Sequence, residues 1–153
     1  MKENINKYVG IPHRFMQSSF DGCDCLGLIK LFYREHGNPL EFDDGGFEIT
    51  RDNYATLPVW RRLFRYLHKT CDKIENDGDI QFGDIIVFRI NDCEHLAIAI
   101  DSYGRVLAMQ VPEEEGKTTS MIYHRSLWKH VQHMIFRKKG GGIYGNISAC
   151  AER

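Results

Sequence analysis

The chain has 153 residues, enough to bury one sizeable core and too few for two ordinary domains with separate cores. Its 42% apolar, 27% charged and 12% aromatic content is that of a folded domain rather than a disordered segment. With 20 Lys and Arg against 21 Asp and Glu, no global field draws it to nucleic acid or an anionic membrane. No stretch approaches the roughly 20 apolar residues of a membrane span, and Met1-Lys2-Glu3-Asn4 lacks the apolar run of a signal peptide, so synthesis in the cytoplasm is expected.

Residues 25 to 36 carry apolar side chains at Cys25, Leu28, Ile29 and Phe32, widened by Leu31 and Tyr33, which is helical spacing. Gly37-Asn38-Pro39 supplies the stop. A second helix is expected from Val59 to Ile74, with Leu63, Phe64, Leu67, Cys71 and Ile74 on one face and Pro58 in its first turn. From residue 84 the period changes to two. Ile85 to Ile90, Glu94 to Ile100, Arg105 to Val111 and Thr119 to His124 read as strands, and His133 to Arg137 as a fifth. Helices first and consecutive strands afterwards predict an α+β domain with a largely antiparallel sheet. The domain is expected over 1–139, closed by Gly140-Gly141-Gly142, with 140–153 as a glycine-rich tail that is mobile or dependent on a partner.

Five cysteines (Cys23, Cys25, Cys71, Cys93 and Cys150) in a chain without a secretion signal are expected to be thiols. Cys71, in a helical pattern, and Cys150, in the tail, read as inert. Cys25 follows the polar loop Phe20-Asp21-Gly22-Cys23-Asp24 and opens the first helix. At a helix N-terminus, unpaired N–H groups and the positive end of the dipole are expected to lower the thiol pKa and to hold a developing oxyanion.

His95 begins a strand in which His95, Ala97 and Ala99 share one face and Leu96, Ile98 and Ile100 the other. The small alanine face is expected to let the Cys25 helix approach closely. Asp101-Ser102-Tyr103-Gly104 reads as a tight turn. If Ile100 pairs with Arg105, Ala97 faces Ala108 and His95 faces Gln110, whose amide is placed to fix the imidazole tautomer.

These segments resemble the NlpC family of bacterial and phage cell-wall cysteine peptidases, a circularly rearranged branch of the papain-like fold. Gly22-Cys23-Asp24-Cys25-Leu26-Gly27-Leu28 resembles the family's Asp-Cys-Ser-Gly signature, which puts its nucleophile on Cys25. Gly83-Asp84-Ile85-Ile86-Val87-Phe88 resembles its Gly-Asp-apolar strand, and His95-Leu96-Ala97-Ile98 its His-Val-Gly-Ile strand, which puts the base on His95. The third polar residue on the following strand falls on Gln110. Tyr8-Val9-Gly10-Ile11-Pro12-His13-Arg14 is similar to the entry segment, and Leu127-Trp128 with Arg137 to the phage tail-associated members. Leu26 stands where a small residue commonly follows the nucleophile, and His13 where a tyrosine often lines the site.

The resemblance covers about residues 5–138 and implies hydrolysis of the γ-D-glutamyl to diamino-acid bond of peptidoglycan stem peptides. It assigns His13 and Asp24 to substrate binding and requires no metal or cofactor. The partners it implies are that peptide and phage tail proteins, with no nucleic acid or membrane. Two other readings stay open. Cys23, Cys25, Cys93 and His95 supply the ligand types of a Cys₃His zinc site, and the same fold serves a non-catalytic tail assembly protein.

Overall fold

The computed structural model describes residues 4–40, 57–91 and 93–144. Leu63 and Cys150 belong to the positions whose side chains lie outside that description. The described chain is an α+β domain built on a six-stranded antiparallel sheet.

A short hairpin of β1 (Ser18–Ser19) and β2 (Gly22–Cys23) leads into α1 (Cys25–Glu35). Helix α2 (Leu57–Thr70) is followed by β3 (Cys71–Ile74), β4 (Ile85–Ile90), β5 (Cys93–Ala99), β6 (Val106–Met109) and β7 (Ser120–Tyr123), then by the single turn α3 (Arg125–Trp128) and by β8 (His133–Lys138). The sheet order is β3-β8-β4-β5-β6-β7. Strands β4 to β7 form a meander, and β8 returns through α3 to the free side of β4.

Helix α1 starts where expected because Asp24 caps it. Its backbone is extended, and its Oδ1 accepts the Gly27 N–H at 2.7 Å, satisfying one of the donors a helix start leaves open. Oδ2 of the same carboxylate accepts the Met16 N–H at 2.9 Å, tying the preceding loop to the helix. Gly27 admits that loop. A Cβ there would lie 1.8 Å from the Gln17 carbonyl oxygen, so any side chain would push the loop off the helix.

The second helix ends four residues earlier than its periodicity predicts. Cys71 and Ile74, read as its last apolar pair, belong instead to β3, where Cys71 pairs with Lys138 and Ile74 with Ile135. A spacing of three serves a helix and a four-residue strand equally, and the edge offered by β8 decides between them.

The β5–β6 register is the expected one. The Ile100 N–H donates to the Arg105 carbonyl at 3.0 Å, and Ala97 pairs with Ala108. Asp101 closes the turn, its Oδ1 accepting the N–H groups of Tyr103 and Arg105.

The two faces of β5 are covered differently from expectation. Leu96, Ile98 and Ile100 pack in one core with Leu28, Ile29 and Phe32 of α1, so the helix lies on the aliphatic face. Ala97 and Ala99 pack opposite, with Ile86, Phe88, Val106 and Trp128. The small residues accommodate the Trp128 indole, whose Nε1 donates to the Gly104 carbonyl at 2.8 Å.

The start of β4 is fixed by Asp84, 1% exposed, which Arg137 of β8 grips through two hydrogen bonds of 2.9 Å. Tyr33 of α1 donates to the Gly83 carbonyl at 2.5 Å, joining helix and sheet. Beyond β8 the chain stays on the domain through Tyr144: Ile143 is buried against Gly83, and the Asn38 amide donates to its carbonyl at 2.8 Å.

Candidate active site

Cys25 and His95 both line one cavity of about 270 Å³. The elements that bring them there are the capped start of α1 and the part of β5 just before its ladder with β6 begins at Ala97. Because the ladder begins only there, the Leu96 backbone is available to the helix, and its N–H donates to the Cys25 sulfur.

Between the two residues lies Glu113, on the segment joining β6 to β7, its side chain only 3% exposed. Its Oε1 accepts the Cys25 N–H at 3.1 Å and stands 3.6 Å from Nε2 of the buried His13. Its Oε2 stands 3.8 Å from Nδ1 of His95, an ion-pair distance too long for a hydrogen bond. One carboxylate thus spans the helix start, one histidine on the strand and one on the entry segment. The loop that carries it is tied to His13 on both sides, the His13 N–H donating to the Thr118 carbonyl and the Gly116 N–H to the His13 carbonyl.

Sequence reasoning missed Glu113. It stands in Pro112-Glu113-Glu114-Glu115-Gly116, which reads as a solvated acidic turn, and only its wrap around His13 buries the first acid of the three.

Gln110, expected to orient His95, has another partner. Its side-chain oxygen accepts the Thr119 N–H at 2.9 Å, and no hydrogen bond joins it to His95 among the described residues. The ladder pairing stops at Ala97 opposite Ala108, so the register extrapolated to His95 and Gln110 does not produce the expected contact. Asp24, assigned to substrate, has both oxygens committed to backbone N–H groups.

The electrostatics also differ from expectation. Burial, then the charges of Glu113 and Asp24, push the Cys25 thiol well above its usual range, outweighing the N–H groups of Leu96 and Leu26. A helix N-terminus lowers a thiol pKa only where desolvation and nearby carboxylates do not exceed it. Burial alone lowers the His95 pKa. Both shifts favour the neutral thiol and the neutral imidazole over a thiolate–imidazolium pair.

Cys23, fully buried on β2, is pushed up to about 12, by burial first and then by Asp24 and Glu113. All four described cysteines (Cys23, Cys25, Cys71 and Cys93) are free thiols. Among the described residues, no group of three or more His, Cys, Asp or Glu side chains could hold a metal ion, which leaves the zinc reading of Cys23, Cys25, Cys93 and His95 without geometric support. No helix among them is long and apolar enough to cross a membrane.

Comparison with protein-family models and with curated sequences finds no match to this chain. The functional reading therefore rests on the residues and their arrangement.

Proposed function

We propose that the protein is a papain-like cysteine hydrolase that works by acyl transfer, with Cys25 as nucleophile and His95 as general base. The observation that carries this reading is that the two side chains face one cavity and one buried carboxylate spans them. Glu113, rather than Gln110, fills the third role. Its carboxylate stands 3.8 Å from Nδ1 of His95, and by closing that distance when it releases the Cys25 N–H it would accept from Nδ1 and leave Nε2 to act as base.

His95 Nε2 takes the Cys25 thiol proton as sulfur attacks the substrate carbonyl, forming the S–C bond, and the oxyanion takes the Cys25 N–H. The tetrahedral intermediate collapses with cleavage of the C–N bond, and the imidazolium returns its proton to the leaving amine. Water, deprotonated by the same imidazole, then releases the acid and restores the thiol. A proton shuttle between neutral groups needs no preformed thiolate, in keeping with a raised thiol pKa and a lowered imidazole pKa. Glu113 gives up the Cys25 N–H to the oxyanion by turning toward His95, 3.8 Å away.

The substrate we assign is the stem peptide of peptidoglycan, on the resemblance of the Cys25 and His95 segments. Digestion of purified muropeptides, read by mass spectrometry, tests it. New γ-D-glutamyl termini with the wild type and none with Cys25→Ala support the assignment; intact muropeptides refute it.

A second reading, a non-catalytic assembly protein with this fold, is favoured by one observation: the N–H an oxyanion would need is held by Glu113. A Cys25 that is no more reactive than a buried structural thiol when the protein is challenged with acyl donors of every class would establish that reading.

A further inference from the structure

The cavity beside Cys25 and His95 is more selective than a peptide-cleaving site requires. Apart from Tyr123 its other walls are apolar, among them Phe88, Leu96, Val106, Ala108, Met109 and Trp128, and among the described residues no Lys, Arg, Asp or Glu side chain lines it. Two of its lining residues are exposed, Leu127 at 68% and Val111 at 39%, so the apolar lining continues to solvent. A charged stem-peptide side chain placed here would lose its hydration without gaining a partner. An apolar chain would lose nothing and would exchange water for packed contact. At about 270 Å³ the cavity is below the roughly 300–1,000 Å³ of pockets that enclose whole drug-sized ligands, and suits one chain or ring of a larger substrate.

We infer that this cavity is the acyl subsite of the hydrolase and that it takes an apolar acyl group, a medium-length aliphatic chain, whose carbonyl meets Cys25. The inference rests on the cysteine-hydrolase chemistry proposed above but not on its stem-peptide substrate: the resemblance points to that peptide, the lining of the cavity to an apolar acyl ester. With an ester of such an acid, the S–C bond forms as the C–O bond to the alcohol breaks. The thiol proton passes through His95 to the leaving oxygen, and water then releases the free fatty acid and the thiol.

The experiment is a chain-length series of p-nitrophenyl esters, acetyl to dodecanoyl, with the wild type, Ala108→Phe, which fills the cavity, and Leu127→Asp, which charges its exposed rim without touching the core. Each methylene that enters contributes up to about fourfold, so kcat/KM is expected to be at least about tenfold higher for octanoyl than for acetyl. Both variants are expected to collapse that ratio.

In parallel, calorimetric titration of Cys25→Ala with neutral octanamide and acetamide reads the cavity without chemistry. Binding of octanamide alone, weakened by Leu127→Asp, supports the apolar preference of the cavity, whereas a wild type that hydrolyses no ester of the series overturns its role as an acyl subsite. A flat chain-length profile together with equal binding of the two amides overturns it. Cleavage of muropeptides in that case would leave the hydrolase standing.

Discussion

Replacing Asp24 with alanine removes two supports at once, and their cost follows from the geometry. The cap bond to the Gly27 N–H is worth about 1 kcal/mol. The Met16 N–H bond has a charged acceptor, a class worth roughly 1.5–3 kcal/mol, but Met16 is 55% exposed, so water replaces part of it and the lower end applies. The substitution also relieves the desolvation that raises the Asp24 carboxyl pKa, which again favours the lower end. The expected loss is about 2–3 kcal/mol, and at 2–4 °C per kcal/mol for a chain of this size the Tm falls by roughly 5–10 °C.

Asp24→Ser separates the two supports, since its hydroxyl caps Gly27 but cannot reach Met16, and it is expected to cost about half as much. The pH dependence has a definite sign. A carboxyl whose folded pKa is raised contributes most below its unfolded value near 3.8 and loses that contribution as pH rises through the folded value. The alanine cost should therefore shrink from pH 4 to pH 7. Calorimetric and urea unfolding at both values provide the measurement. A serine variant as unstable as the alanine variant, or an alanine cost that grows with pH, would refute the argument.

Other outcomes follow from the same geometry. Glu113→Gln removes a charge that raises the Cys25 thiol pKa, so alkylation of Cys25 at pH 7 should speed up while hydrolysis slows; a rate unchanged by the substitution would remove Glu113 from the site. Because burial lowers the His95 pKa from 6.5, the acidic limb of kcat/KM should lie below pH 6.5 and be absent in His95→Ala; a limb above that value would mean that His95 is stabilised as a cation. Arg137→Ala leaves Asp84, 1% exposed, with the Gln81 N–H but without its ion pair, and should cost roughly 3–5 kcal/mol in urea unfolding, against under 1 kcal/mol if that remaining bond suffices.

Helix α1 and the β4–β5–β6 meander were legible because their signals are local: an Asp before an apolar stripe, and a turn whose Asp and Gly set the register. The cover of each sheet face was not. The alternation of Leu96, Ala97, Ile98 and Ala99 separates two faces without saying which meets the helix, and Trp128, 30 residues on, takes the small one. Strand β3 went unread because Cys71 and Ile74 fit two periods, and only pairing with β8 chooses.

That Cys25 and His95 would come to one cavity was readable from the residues around them. The place of Glu113 beside them was not, since neither its charge run nor the short ladder before Gln110 reveals that a loop will close over His13. The reversed thiol pKa has the same origin: a helix start is visible in sequence, whereas burial by distant segments is not.

The central claim is that Cys25 forms an acyl-enzyme. Rapid acid quenching during turnover, followed by intact and peptide mass spectrometry, tests it directly, with a muropeptide and an octanoyl ester as donors. The account predicts an acyl adduct confined to the peptide containing Cys25, absent in Cys25→Ala and accumulating in variants whose deacylation is slowed. Hydrolysis that persists in Cys25→Ala, or an adduct on another residue, would contradict it.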